Sequence, residues 1–172
     1  MRACFFAVVC LAGLLFIVAA PARLPAQSSG DSVGLGILAG AAFPSGGTEN
    51  IPSSDWEASF NWGFFVNIPL IYTFHITPSA ELYRFGEQNA TDLSIAFKFI
   101  VPVSAIDIYF GFVPGVTAVL DVVDIHVGLV GGVSFNAVSN LDLFAQAKYK
   151  FLFEGDKNIR VLHLNGGVLF KF

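Results

Sequence analysis

After residue 30 the chain alternates between apolar and polar side chains, with the period of two that is typical of strands with two unlike faces. The alternation falls into eight segments, at about 32–44, 59–72, 75–87, 91–103, 106–119, 122–137, 141–154 and 158–172. Turn residues separate most of them, for example at 44–47 and 139–140. Eight consecutive segments of this kind, joined by mostly short connections, predict an all-β, antiparallel up-and-down barrel over residues 31–172.

The two faces of these segments differ in bulk as well as in polarity. Large apolar side chains such as Phe60, Trp62 and Phe110 share one face, whereas the other face carries long polar side chains and most of the strand glycines. The interior of an eight-stranded barrel is just wide enough for side chains to fill, so the bulky face has to point outward. A soluble monomer rarely exposes so much apolar surface, and a closed barrel pairs the backbone groups as a bilayer requires. The sequence therefore predicts a transmembrane barrel with a narrow polar lumen.

Composition supports this prediction and excludes other classes. The chain has 172 residues, of which 55% are hydrophobic and 13% charged, against about 25% charged residues in an average soluble domain. The formal charge of −4 and the lack of a Lys/Arg cluster argue against a nucleic-acid partner. After residue 30 there is no uninterrupted apolar run of the length that a transmembrane helix needs.

The first 26 residues have the pattern of a secretory signal peptide. Arg2 precedes an apolar run that ends near Ala20, and small residues follow before the polar Gln27. Cleavage is expected after Ala22 or after Ala26, and an uncleaved membrane anchor is the alternative. Both cysteines lie in this segment, so a disulfide-free mature barrel is expected.

Six charged side chains have lumen parity in the predicted strands, namely Glu81, Lys98, Asp107, Asp142, Lys148 and Lys150. An unpaired buried charge is costly, so we expect these groups to form ion pairs or to meet trapped water. Lys98 lies on the segment next to that of Glu81, and the sequence therefore predicts a central Glu81–Lys98 pair.

The end of the chain carries a recognisable motif. Gly167 is followed by two residues, the apolar Phe170, one further residue and the terminal aromatic Phe172. With the predicted signal peptide and the eight segments, this ending resembles the small eight-stranded outer-membrane barrels of diderm bacteria, the OmpA transmembrane-domain and OmpX-like group. The resemblance implies that Gly167, Phe170 and Phe172 form a signal read by the outer-membrane assembly machinery, and that outer-membrane lipids surround the barrel.

The resemblance also implies an orientation, with both termini and the short turns in the periplasm. Nine acids then fall in or beside the outer loops: Glu49, Asp55, Glu57, Glu87, Asp92, Asp121, Asp124, Glu154 and Asp156. They are interpreted either as solvated turn residues or as groups that bridge divalent cations to anionic lipid headgroups.

Candidate chemistry is sparse. His126 and His163 have lumen parity, and His75 is predicted at a periplasmic turn. We expect no catalytic residues, no metal site and no cofactor. The favoured function is a non-enzymatic outer-membrane barrel that contributes to envelope integrity or surface interaction. The alternatives are an outer-membrane lipid-modifying enzyme and a soluble periplasmic ligand-binding barrel.

Overall fold

The computed structural model describes residues 32–46, 57–120, 122–154 and 157–172. Its strands are β1 (Gly34–Ser45), β2 (Ser59–Ile71), β3 (Phe74–Phe85), β4 (Gln88–Val103), β5 (Ile106–Val119), β6 (Val122–Val138), β7 (Leu141–Glu154) and β8 (Lys157–Lys171). Each strand pairs with its neighbours in sequence, and β8 returns to pair antiparallel with β1, which closes the barrel. The predicted eight-stranded antiparallel barrel is confirmed.

Some of the sequence predictions fall outside these residues. The predicted signal peptide at 1–26 is among them, as are Glu49, Asp55, Asp121 and Asp156. Within the ranges given above, no helix is long and apolar enough to cross a membrane.

The strand bounds agree with the predicted segments to within three residues at every end. The largest difference is at β4, which begins at Gln88 because the turn before it contains only Gly86 and Glu87. Gly86 has a φ of 56°, a left-handed conformation that glycine adopts without strain. The tight turn extends the β3–β4 ladder as far as the Phe85–Gln88 pair.

The outer surface of the barrel is apolar and rich in aromatic rings. Phe60 is 68% exposed and Leu129 is 63% exposed, and large apolar side chains are similarly exposed on most other strands. On β3, β4 and β5 the rings contact one another, with 4.9 Å between the centroids of Phe74 and Phe99 and 4.7 Å between those of Phe97 and Phe112. Such a surface is compatible with lipid and would be costly in water.

The interior is polar, the reverse of a soluble domain. Its buried polar and charged side chains come from every strand except β1. They are Asn61, Asn67, His75, Thr77, Ser79, Glu81, Asp92, Ser94, Lys98, Thr117, His126, Asp142, Gln146, Lys148, Lys150, His163 and Asn165. The transmembrane fold with a polar lumen therefore has the predicted inside and outside.

Inward-facing aromatic side chains share the lumen with these polar groups, and glycines make room for them. A Cβ added at Gly132 would lie 2.6 Å from the Tyr109 hydroxyl, and one added at Gly36 would collide with the Phe65 ring. Phe65 in turn packs edge-on against Phe144, with 5.3 Å between the ring centroids. The lumen is therefore filled by side chains, as expected for eight strands.

Candidate functional site

Glu81 on β3 is the centre of one buried cluster. Lys148 on β7 forms an ion pair with Glu81 Oε1. On the other carboxylate oxygen, Asn61 Nδ2 donates a hydrogen bond at 3.2 Å and Asn165 Nδ2 donates one at 3.5 Å. His163 Nδ1 lies 3.6 Å from the same oxygen and 2.7 Å from Asn61 Nδ2. Side chains from β2, β7 and β8 thus surround the carboxylate of Glu81 on β3. Lys148 also contacts Ser79 of β3, which is hydrogen-bonded to Ser94 of β4.

Asp92 on β4 is the centre of a second buried cluster. Lys150 Nζ lies 2.9 Å from Asp92 Oδ2, and the Thr117 hydroxyl donates a hydrogen bond to the same oxygen at 2.9 Å. His126 Nδ1 lies 3.2 Å from the Thr117 oxygen. Because the single Thr117 proton is given to Asp92, His126 Nδ1 has to be the donor in this contact.

Tyr83 lies between the two clusters. Its ring is edge-on to His163 of the first cluster, with 4.7 Å between the ring centroids. On the other side, Lys150 Nζ of the second cluster lies 5.6 Å from the centroid of the same ring. The two clusters are therefore continuous parts of one packed network.

The strand register explains why each carboxylate is paired with a lysine from across the barrel. Glu81 and Asp92 lie directly opposite each other on β3 and β4, an arrangement that is destabilising for like charges unless each finds a counter-charge. Lys148 and Lys150 supply these charges from β7, where they are two residues apart and point to the same side. Two ion pairs thus connect β7 with β3 and β4 across the lumen.

The expected Glu81–Lys98 pair is not formed. The register places Glu81 opposite Asp92, and Lys98 lies six residues further along β4, opposite His75. Six residues of strand extend about 20 Å, which is beyond the reach of a lysine side chain. Lys98 Nζ instead lies over the ring of Tyr109, 4.7 Å from its centroid, and 5.5 Å from that of Phe65.

The remaining predicted charges lie near the end of the barrel at which β1 begins and β8 ends. Asp142 Oδ1 accepts a hydrogen bond from Asn136 Nδ2 at 2.9 Å and lies 2.8 Å from Lys171 Nζ. Asp107 is partly exposed on β5, opposite Ser134 of β6. The structure does not bring Asp107 to any of the predicted lumen lysines.

Two interpretations from the sequence are corrected. Asp92 was expected in or beside an outer loop, but β4 begins four residues before it and its side chain is fully buried. His75 was expected at a turn, yet it is a buried residue of β3, with Nδ1 2.9 Å from Asn67 Nδ2. Of the other acids expected in outer loops, Glu57 and Glu87 are exposed and Asp124 is partly exposed.

Thr117 is a member of the second cluster that was not predicted from the sequence. The available signal was its parity, since Thr117 alternates in phase with Tyr109 and Val113, which both face inward. Its hydrogen bond to Asp92 forms because the two residues lie opposite each other on β4 and β5. Parity gives the face of a residue but not the residue opposite it on the next strand, so the sequence does not predict this contact.

The buried clusters do not have the accessibility that catalysis requires. Thr117, His126 and Asp92 are the residue types of a nucleophile, a base and an acid, but Thr117 and Asp92 are completely buried, so a substrate cannot reach the hydroxyl. In the described part of the chain, no group of three or more His, Cys, Asp or Glu side chains is placed to hold a metal ion. The arrangement is that of a packed plug.

Solved barrels of similar size resemble this chain. The crystal structure of Neisserial surface protein A (NspA) aligns with a TM-score of 0.63 and 18% sequence identity, over 80% of this chain and 97% of that one. Ail, the attachment invasion locus protein of Yersinia pestis, gives a TM-score of 0.47 and 13% identity, over 81% of this chain and 99% of its own. The N-terminal β-barrel domain of Pseudomonas aeruginosa OprF gives 0.46 and 16%, over 80% and 97%.

The alignment with NspA shows a shared fold. No protein-family model and no curated protein sequence matches the chain. The chain thus has the fold of the small eight-stranded outer-membrane barrels, with a lumen closed by two ion pairs.

Proposed function

We propose that this protein is a non-enzymatic outer-membrane β-barrel of a diderm bacterium, which contributes to envelope integrity or to contacts at the cell surface. The observation that carries the proposal is the combination of an apolar outer face with a lumen that Glu81–Lys148 and Asp92–Lys150 close. The outer face suits a protein embedded in lipid. The closed lumen argues against a pore.

The proposed location includes export by the segment at 1–26 and insertion by the outer-membrane assembly machinery. The position of the last strand supports the second part. Phe170 lies opposite Leu35 in the β8–β1 ladder that closes the barrel, and the Phe172 amide donates a hydrogen bond to the Val33 carbonyl at 3.0 Å. The proposed assembly signal of Gly167, Phe170 and Phe172 is thus part of the closing seam.

The alternatives have less support. A soluble ligand-binding barrel would need an apolar interior, whereas the buried side chains here are largely polar. A lipid-modifying enzyme would need a reactive group that lipid can reach, and the cluster of Thr117, His126 and Asp92 faces inward.

Cell fractionation with a gel-mobility test addresses the location. We expect the protein in the outer-membrane fraction, with its N-terminus near Gln27 and with a different gel mobility before and after heating in detergent. Recovery from the periplasm without detergent would contradict the proposal, as would an intact signal segment in the inner membrane.

The proposed role is tested separately in a deletion strain. We expect greater sensitivity to detergents or reduced surface attachment, restored by the wild-type gene, and an unchanged lipid A mass spectrum. A changed lipid A mass that the wild-type gene restores would instead support the enzyme alternative.

A further inference from the structure

Lys98 is a buried lysine that no carboxylate of the described residues approaches to ion-pair distance. Its side chain belongs to the lumen, where the residue is 8% exposed, and the described residues give its ammonium group neither an ion pair nor a hydrogen bond. The two ring contacts, with Tyr109 and Phe65, are favourable for a cation. They do not provide the acceptor that a buried ammonium group requires.

The charge balance of the lumen supports the same view. Glu81 and Asp92 are the fully buried carboxylates of the described residues, and each already has its own lysine, Lys148 or Lys150. Asp142 is paired with Lys171 near the end of the barrel. Within the described strands, Lys98 is therefore the buried lysine that is left without an ion-pair partner.

A small cavity lies beside this unpaired lysine. Lys98 from β4 and Lys148 from β7 both line it, together with Thr77, Ser79 and Gln146 and a few apolar side chains. The centre of a water-sized sphere has about 10 Å³ in which to move there, which is room for one water molecule or for one monatomic ion of slightly larger radius.

The polar groups around the cavity are mainly donors. The Gln146 oxygen accepts a hydrogen bond from the Tyr109 hydroxyl at 3.2 Å, which leaves the amide NH₂ to donate. Lys148 shares its ammonium group with Glu81 and Ser79, and Lys98 offers all of its N–H groups. Thr77 gives its proton to Asn67 at 3.2 Å and contributes only an acceptor.

We propose that this cavity binds one small monovalent inorganic anion of the size of chloride or bromide, between the ammonium groups of Lys98 and Lys148. With the charge of Lys148 compensated by Glu81, the single charge of Lys98 and the surrounding N–H donors match one monovalent anion, whereas a water molecule would leave the charge of Lys98 uncompensated. The bound anion joins β4 to β7 and is a third connection across the lumen. It lies closer than the two ion pairs to the end of the barrel at which β4 ends.

Unfolding in different salts tests the proposal. The protein is refolded in detergent and unfolded by urea in sodium chloride, sodium bromide or sodium gluconate at equal ionic strength. We expect a higher midpoint in either halide than in gluconate, with a difference that saturates as the halide concentration rises, because only the folded barrel binds the ion. Equal midpoints in halide and gluconate would overturn the proposal.

Two substitutions locate the effect. Lys98→Met is expected to abolish the difference between halide and gluconate. Lys171→Met is the matched control, because it removes a lysine from the Asp142 pair outside the cavity, and it should retain the difference. Retention of the full difference in Lys98→Met would overturn the assignment to this cavity.

A crystal of the wild-type protein grown in sodium bromide provides a test that needs no variant to fold. We expect an anomalous peak between the Nζ atoms of Lys98 and Lys148. Density for water alone at this position would overturn the proposal.

Discussion

Glu81 and Lys148 form an ion pair between β3 and β7, two strands that are four positions apart in either direction around the ring. The pair therefore spans the full width of the lumen. Beside it, Asp92 and Lys150 form a second ion pair across the lumen, between β4 and β7. Because a register slip of one residue would turn a charged side chain outward, the two ion pairs favour one register of the whole barrel.

A double-mutant cycle measures the coupling between Glu81 and Lys148. We expect Glu81→Gln and Lys148→Met each to lower the free energy of unfolding by about 3–5 kcal/mol, because each leaves a buried charge unpaired. The double variant should lose much less than the sum. The measurement is urea unfolding in detergent.

The cycle of Glu81→Gln with Lys171→Met is the control, because Lys171 pairs with Asp142 and shares no partner with Glu81. Its effects should add to within about 0.5 kcal/mol. Additive effects in the Glu81–Lys148 cycle would show that the ion pair is absent in the folded protein.

Asp92 provides a second prediction, which separates a buried residue from a loop residue. Asp92→Asn should destabilise the barrel by about 3–5 kcal/mol, because Lys150 would lose its counter-charge. Asp124→Asn is the matched control on a partly exposed residue, and its effect should stay within about 0.5 kcal/mol. Urea unfolding measures both variants. If Asp92→Asn has as small an effect as Asp124→Asn, Asp92 is a solvent-exposed loop residue and not a buried partner of Lys150.

The alternation of the sequence was sufficient to predict the strands and the polarity of the two faces, because side-chain direction in a strand depends only on parity. Parity does not give the level of a side chain in the barrel, and this is why Lys98 was paired with Glu81. Lys148 contacts Glu81 from 67 residues away in sequence, a separation at which a sequence pattern carries no distance information. Asp92 was misplaced because the turn that precedes β4 is shorter than the predicted connection.

The glycines on the lumen face lead to a third prediction, about packing. Gly36→Ala should destabilise the barrel by about 1–3 kcal/mol, because the added methyl group meets the Phe65 ring. Gly166→Ala is the control on the outer face, where the nearest atom to the new Cβ is the Phe144 carbonyl oxygen at 3.6 Å. That substitution should leave the urea midpoint nearly unchanged.

A compensating change identifies the cause of the Gly36→Ala effect. Phe65→Leu shortens the side chain that the new methyl group meets. Gly36→Ala should therefore lower the free energy of unfolding less in the Phe65→Leu background than in the wild-type protein. Equal costs in the two backgrounds would mean that the two side chains do not compete for the same space.

The last prediction concerns Phe172, for which stability in vitro and assembly in cells should differ. The Phe172 residue is 82% exposed, while its backbone amide is bonded to Val33. Phe172→Ala should therefore hardly change the urea midpoint of refolded protein, yet it should lower the amount in the outer membrane several-fold if the assembly machinery reads this ring.

Phe60→Ala is the control, because Phe60 is also highly exposed, at 68%, but lies on β2. Immunoblots of outer-membrane fractions measure both variants. Equal amounts of wild-type and Phe172→Ala protein would show that the terminal ring is not part of the assembly signal, whereas a loss shared by Phe60→Ala would indicate a general requirement for lipid-facing aromatic side chains.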